Sequence, residues 1–218
     1  MVTIINAENV KRYFKIFIIL AAVLNISTSC GNNQQTNQTN IMNTAERTNS
    51  GKVLIFYFSH AGENYGVGNI EVGNTKIVAG YIKEITGGDE FEIVAEKSYD
   101  MPYSQLIKIA KQETNSGELP AFKGEVTDIG QYDTIFIGGP IWWGTYPQVM
   151  FTFFQKYDLN GKTIFPFVTH EGSGLANTVE DLKEQYPQAD IKEGFAIYGH
   201  EVRQGKEKVV KWLKSLGY

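Results

Sequence analysis

Three short segments carry the side chains and backbone amides that could do chemistry. The first is Ser59-His60-Ala61-Gly62-Glu63, continued after an insert by Gly73-Asn74-Thr75 at a helix start. Glycine lets amides approach an anion, a helix N-terminus adds partial positive charge, and Ser and Thr hydroxyls supply further bonds. A phosphate fits there. The second is Gly138-Gly139-Pro140-Ile141-Trp142-Trp143-Gly144-Thr145-Tyr146-Pro147. Two adjacent indoles in a Gly/Pro-rich loop have little core to enter, and they suit a flat, conjugated ligand better than a sugar or a metal. The third, Thr169-His170-Glu171-Gly172-Ser173-Gly174, opens another helix and offers donors for the polar edge of a ring system.

Each segment also has a plainer reading. Asn74 or Thr75 can cap its helix while Ser59 ends a strand. One tryptophan can plug the end of a sheet while the other packs under a neighbouring loop. His170 and Glu171 invite an acid–base role, yet solvent exposure accounts for both, so no catalytic side chain is assigned. Other chemistries find no support. No Gly-Lys-Ser/Thr follows the first apolar run, and no compact Gly-x-Gly-x-x-Gly stands there, against triphosphate hydrolysis and a dinucleotide fingerprint. With three His and one Cys, and no His/Cys/Asp/Glu cluster at ligand spacing, no metal is expected.

The elements that must position these segments follow from periodicity. Val53 to Phe58 is continuously apolar, the pattern of a strand buried on both faces. A helix over 75–85 places Ile77, Val78, Tyr81, Ile82 and Ile85 on one side. Further strands are expected at 89–95, 134–137, 163–168 and 194–198, with helices at 104–113, 148–157, 175–185 and 206–216. Pro166 must lie where it removes no ladder bond. Five strands alternating with helices predict an α/β, doubly wound parallel sheet with helices on both faces. Ligands in such sheets bind beyond the carboxyl ends of the strands, where all three segments fall.

The chain has 218 residues and a net charge of −4, enough for one domain of 51–218 and a leader. Lys11, Arg12 and Lys15 precede the apolar run Ile16 to Leu24, which is too short to span a bilayer comfortably. Small residues then lead to Cys30, the single cysteine. Residues 1–29 look like a bacterial lipoprotein signal that leaves Cys30 lipidated. Ser27 stands where Leu is commonest in such signals, and a plain signal peptide with Cys30 as a free thiol is the other reading. Residues 30–50 are polar and low in complexity, a tether that cannot bury enough surface to fold. Losing residues 1–29 removes three basic groups and one acidic group, taking the charge from −4 to −6. That balance argues against nucleic acid.

Taken together, residues 52–217 resemble the flavodoxin family. Tyr57-Phe58-Ser59 with Gly73-Asn74-Thr75 looks like its phosphate motif, Gly139 to Gly144 like its first flavin-ring loop, and Thr169 to Gly174 like its second. The insert from Asn64 to Val72 interrupts a motif that is usually contiguous, and it could loop out so that Tyr65 covers the ligand. The resemblance implies a flavodoxin-like sheet of strand order 2-1-3-4-5 and FMN as cofactor. Ser59, Asn74 and Thr75, with the amide of His60, would hold the phosphate. Pro140, Ile141, Trp142, Trp143 and Gly144 would line the ring, and Thr169, His170, Glu171, Gly172, Ser173 and Gly174 would meet its polar edge. The implied role is electron transfer to a partner protein or a small acceptor such as a quinone, on the bacterial cell envelope. A non-catalytic binding lipoprotein that kept the fold without flavin is the alternative. If Cys30 carries the anchor, Cys30→Ser moves the protein from the membrane fraction to the soluble fraction on ultracentrifugation; an unchanged distribution rules the anchor out.

Overall fold

The computed structural model describes residues 51–218. The expected signal segment 1–29, the expected tether 30–50 and Cys30 lie outside the described residues.

All six residues of β1 (Val53–Phe58) are buried, as an apolar run with no polar alternation requires. The strand pairs in parallel with β4 (Asp89–Ala95) on one side and β6 (Thr134–Pro140) on the other. Next to β6 lies β7 (Thr163–His170), also parallel. Successive side chains of β1 feed different cores. Leu54, Phe56 and Phe58 join residues of α2 (Tyr103–Ser116), α3 (Gln148–Lys156) and α4 (Thr178–Gln185). Val53, Ile55 and Tyr57 join α1 (Asn74–Thr86) and α5 (Lys206–Ser215). The sheet is therefore covered on both faces, the doubly wound arrangement that the alternating pattern predicts.

Four details depart from the sequence reading. First, β5 (Phe122–Lys123) adds a short antiparallel strand at the outer edge of β4. Second, the position beyond β7 is shared by β8 (Asp190–Ile191) and β9 (Phe195–Tyr198). Ile164 stands opposite Ile191 and Phe167 opposite Phe195, so the outer chain takes four steps where β7 takes three. One extra residue bulges the edge there. The Lys192 N–H donates to the Ile164 carbonyl at 2.9 Å, which turns Ile164, and hence Pro166 two residues on, toward that edge. Pro166 thus meets the interruption, where its missing N–H breaks no ladder.

Third, β6 runs on through Gly138, Gly139 and Pro140 instead of ending at Ile137. The two glycines serve packing inside the sheet: a Cβ on Gly138 would stand 1.9 Å from the Phe167 ring, and one on Gly139 would meet Met150 at 2.7 Å and Tyr146 at 2.8 Å. Fourth, α4 starts at Thr178 rather than Leu175, because Ala176 adopts a left-handed φ of 47° that a helix cannot contain. The insert after β1 forms its own hairpin, β2 (Gly62–Asn64) with β3 (Gly68–Ile70).

Gly138→Ala forces an overlap with a fully buried ring, so the expected outcome is a loss of about 1–3 kcal/mol, read as a lower urea midpoint. An unchanged midpoint would contradict the close approach of this strand to Phe167.

Candidate functional site

The carboxyl ends of β1, β6, β7 and β9 open on one cavity of about 400 Å³. Its floor is tied together by a buried 2.9 Å hydrogen bond between the hydroxyls of Thr75, at the start of α1, and Thr169, at the end of β7. This bond sets the helix terminus beside the third loop. Asn74 and Thr75 both line the cavity there. No acidic residue occupies the first turn of α1, so nothing on the helix offsets its partial positive end.

Ser59 does something else. Its Oγ accepts the Lys76 N–H at 3.0 Å and so caps α1 from another segment, and Ser59 does not line this cavity. Gly73, the residue before the helix, has no room for a side chain, since a Cβ would fall 2.2 Å from that same Oγ. A cap supplied across space was not legible from chain order. His60 does line the cavity, at 8% exposure, with its ring edge-on to Trp142 at 5.9 Å. Its Nε2 has no hydrogen-bond partner among the described residues. Burial holds its pKa below the ordinary histidine value, opposed in part by the Glu63 backbone and by Asp100.

The tryptophans divide their work. Trp142 packs edge-on against Phe58 at 5.5 Å and Tyr99 at 5.2 Å, closing the end of the sheet while one surface faces the cavity. Trp143 is 50% exposed and has φ 52°, followed by Gly144 at φ 87°. The Trp142 N–H donates to the Thr145 carbonyl at 2.9 Å, so residues 142–145 form a tight turn with two left-handed centres. A bulky residue in that conformation is strained. The indole N–H of Trp143 donates to the Ile107 carbonyl of α2 at 3.0 Å, and Lys111 stands 4.8 Å over its ring. The Thr145 hydroxyl donates to Asp181 on α4, whose burial raises its pKa. These contacts hold the turn.

In the third loop, the Gly172 N–H donates to His170 Nδ1 at 2.9 Å. The neutral ring therefore carries its proton on Nε2, and partial burial lowers its pKa. Glu171 lines the cavity with its carboxylate fixed: one oxygen accepts the His200 N–H at 3.0 Å and the other contacts His200 Nδ1 at 2.7 Å. Ser173, Pro140 and Ile141 also face the cavity. Gly144, Gly172 and Gly174 do not; their positive φ values shape the turns that carry their neighbours.

The insert that the sequence reading set over the ligand reaches the cavity, and one contributor, α2, was missing from that reading. The β2–β3 hairpin brings in Asn64, Tyr65 and Val67, and α2 supplies Tyr103, Leu106, Ile107 and Ala110. Glu63 accepts the Tyr103 N–H at 2.7 Å, pinning the hairpin to the start of α2, and Tyr65 stacks on Tyr103 with ring centres 6.2 Å apart. The signal for the hairpin, a glycine-rich insert with an acid and a tyrosine, was visible. The part played by α2 was not, since its apolar stripe reads as ordinary core. Among the described residues no group of His, Cys, Asp or Glu could hold a metal ion.

Because Ser59 caps α1, Ser59→Ala is expected to destabilise the protein without any ligand by about 1 kcal/mol in urea unfolding. Full stability in that variant would return Ser59 to a purely ligand-facing role.

Comparison with known proteins agrees with this geometry. The sequence pattern of the family described as flavodoxin matches residues 52–216. No curated protein matches. A Bacteroides eggerthii structure assigned as a flavoprotein is 31% identical, covering 77% of this chain and 98% of that one, with a TM-score of 0.61. Its Bacteroides uniformis counterpart is 30% identical, covering 75% and 98%, with a TM-score of 0.62. A Lactobacillus acidophilus flavoprotein solved in complex with FMN is 25% identical, covering 71% and 98%, with a TM-score of 0.53. A doubly wound sheet whose strand ends gather a helix terminus, an indole-bearing turn and a polar loop round one cavity, matched over nearly its whole length by that family's pattern, belongs to the flavodoxin family.

Proposed function

We propose that this protein binds FMN in the cavity and passes electrons to a partner protein or to a small acceptor such as a quinone. The observation that carries the reading is the polarity of the cavity. Aromatic and aliphatic side chains line it together with the start of α1, whose first turn carries no acidic residue. A molecule with a flat ring and a terminal phosphate matches both. The FMN complex of the Lactobacillus acidophilus relative supports the same cofactor.

FMN, when bound, supplies the redox chemistry, and the chain supplies binding, orientation and electrostatics. Asn74, Thr75 and the first amides of α1 hold the phosphate. Ser59 contributes by keeping that helix end in shape. Ile141, Trp142 and Trp143 line the ring on one side, with Tyr65 and Tyr103 of the hairpin and α2 excluding water. His170, fixed as the Nε2–H tautomer, donates a hydrogen bond at the polar edge. Glu171, aligned by His200, sets negative charge at the same rim.

The segment from Lys11 to Cys30 supports export and lipid attachment on the bacterial cell envelope, which would place the redox site outside the inner membrane. Its partner would then be an envelope protein or a membrane-soluble acceptor.

The visible spectrum of residues 31–218, as purified and titrated with FMN, tests the cofactor. Flavin bands with quenched protein fluorescence are expected, and Trp143→Ala is expected to weaken binding by about 0.5–1.5 kcal/mol. A colourless protein that FMN neither stabilises nor quenches would overturn the redox reading in favour of a binding lipoprotein.

A further inference from the structure

The insert after β1 is fixed at its ends and free between them. His60 and Gly73 are buried, whereas none of residues 61–72 is. Even so, the β2–β3 hairpin reaches from one wall of the cavity to another. At α2, Glu63 accepts the Tyr103 N–H at 2.7 Å and Tyr65 stacks on the Tyr103 ring. At the third loop, Gly66 lies so close to Glu171 that a Cβ would stand 3.0 Å from its side chain. Asn64, Tyr65 and Val67 face the cavity between these supports.

Behind the hairpin lies open space. Gly62, Asn69, Ile70 and Glu71 border a second cavity of about 650 Å³, whose other wall is the end of β4 and the segment leading to Asp100. A segment with no buried side chain and room on its outer side opens for the loss of a few rim contacts. A ligand that a cavity encloses over most of its surface cannot pass an element resting on two of the walls unless that element moves.

Resting on the FMN reading, we propose that the β2–β3 hairpin is a strap that gates cofactor exchange: it swings about its buried ends toward the second cavity, and Glu63 is the catch that holds it shut.

The choice of catch follows from α2. Tyr103 is the first residue of that helix, so its N–H has no carbonyl within the helix to receive it. Pro102 before it gives no side-chain cap, and no acidic residue stands in the first turn. Glu63 supplies both the missing acceptor and the negative charge that a helix N-terminus favours. The bond is exposed, so water takes its place when the strap lifts, and the hold is reversible. Glu63 itself does not line the cavity. Its effect on a ligand therefore passes through the strap, which makes it a positioning residue. Weakening the catch raises the open fraction alike in the free and the loaded protein, so entry and release quicken together and affinity stays where it was.

The experiment follows flavin fluorescence in a stopped-flow instrument, measuring FMN association on mixing and release on dilution for the wild type, Glu63→Ala and Glu63→Gln. Glu63→Ala is expected to raise both rates by about tenfold, the low end of what a hydrogen bond to a charged group contributes, with the dissociation constant unchanged. Glu63→Gln keeps an acceptor oxygen without the charge and is expected to fall between the two. Faster release with unchanged association would mean that Glu63 only stabilises the loaded form, and it overturns the gate. Rates that move in neither variant overturn it as well. Hydrogen exchange reads the catch without any flavin: the Tyr103 amide is expected to exchange faster than the Leu106 amide, which is bonded to the Pro102 carbonyl at 3.1 Å. Exchange at Tyr103 as slow as at Leu106 overturns a strap that opens on its own. No FMN binding by the wild type overturns the cofactor reading, while exchange at Tyr103 still judges the strap. The urea midpoints of both variants check that the fold is kept.

Discussion

A strand buried on both faces can satisfy its backbone only through neighbours within the sheet, and β1 is such a strand along its whole length. The parallel pairing with β4 and β6 meets that requirement, and right-handed crossovers then carry helices to both faces. Every loop that leaves a strand at its carboxyl end must emerge on the same side. The convergence of Ser59, Thr75, Trp142 and Thr169 is thus a consequence of how one apolar strand is accommodated. The Thr75–Thr169 bond, 2.9 Å and buried, ties the start of α1 to the end of β7.

On that platform the inserted hairpin builds a wall that the five-stranded pattern alone does not require. Two antiparallel strands of three residues are too short to be stable by themselves. They persist because Glu63 holds the start of α2 and Tyr65 lies on Tyr103. Gly66, with φ 74°, turns the hairpin directly over Glu171; a Cβ there would come within 3.0 Å of that side chain. Three loops and a helix are thereby linked through a few polar contacts at the cavity rim. A segment held by so few contacts lies toward the low-stability end of the fold, where ligand-binding elements are usually drawn.

Strain and unsatisfied polarity gather at the same place. Trp143 occupies a left-handed conformation of the kind that carries about 1–3 kcal/mol of strain, and two elements hold its turn: α2, through the Ile107 carbonyl on the indole N–H and Lys111 over the ring, and α4, through Asp181 on Thr145. Against Trp142, His60 keeps a buried nitrogen without a hydrogen-bond partner among the described residues. Elsewhere the polar groups of the interior are well provided for, as with Glu113, whose carboxylate meets both Lys97 and Tyr99 at 3.0 Å. The contrast sets the cavity apart from the packed core by its physics as well as by its shape.

By itself the sequence determined the layers and the address of the site. Burial and period are local properties: in a chain that alternates short apolar runs with 3.6-residue stripes, the runs read as covered strands, the stripes as the helices that cover them, and the loops between inherit their side of the sheet. Tertiary structure decided how each loop residue is used. Ser59 faces the same neighbourhood in either reading, but the orphan N–H of Lys76 claimed its hydroxyl. The plainer reading of the two indoles was right for Trp142, which plugs the sheet end, while Trp143 could stand half exposed only because α2 offered a carbonyl at the right distance. The divided edge of β8 and β9 and the entry of α2 into the cavity depend on how separate elements dock. Such contacts join residues far apart in the chain, so no window of sequence contains both partners, and only packing brings them together.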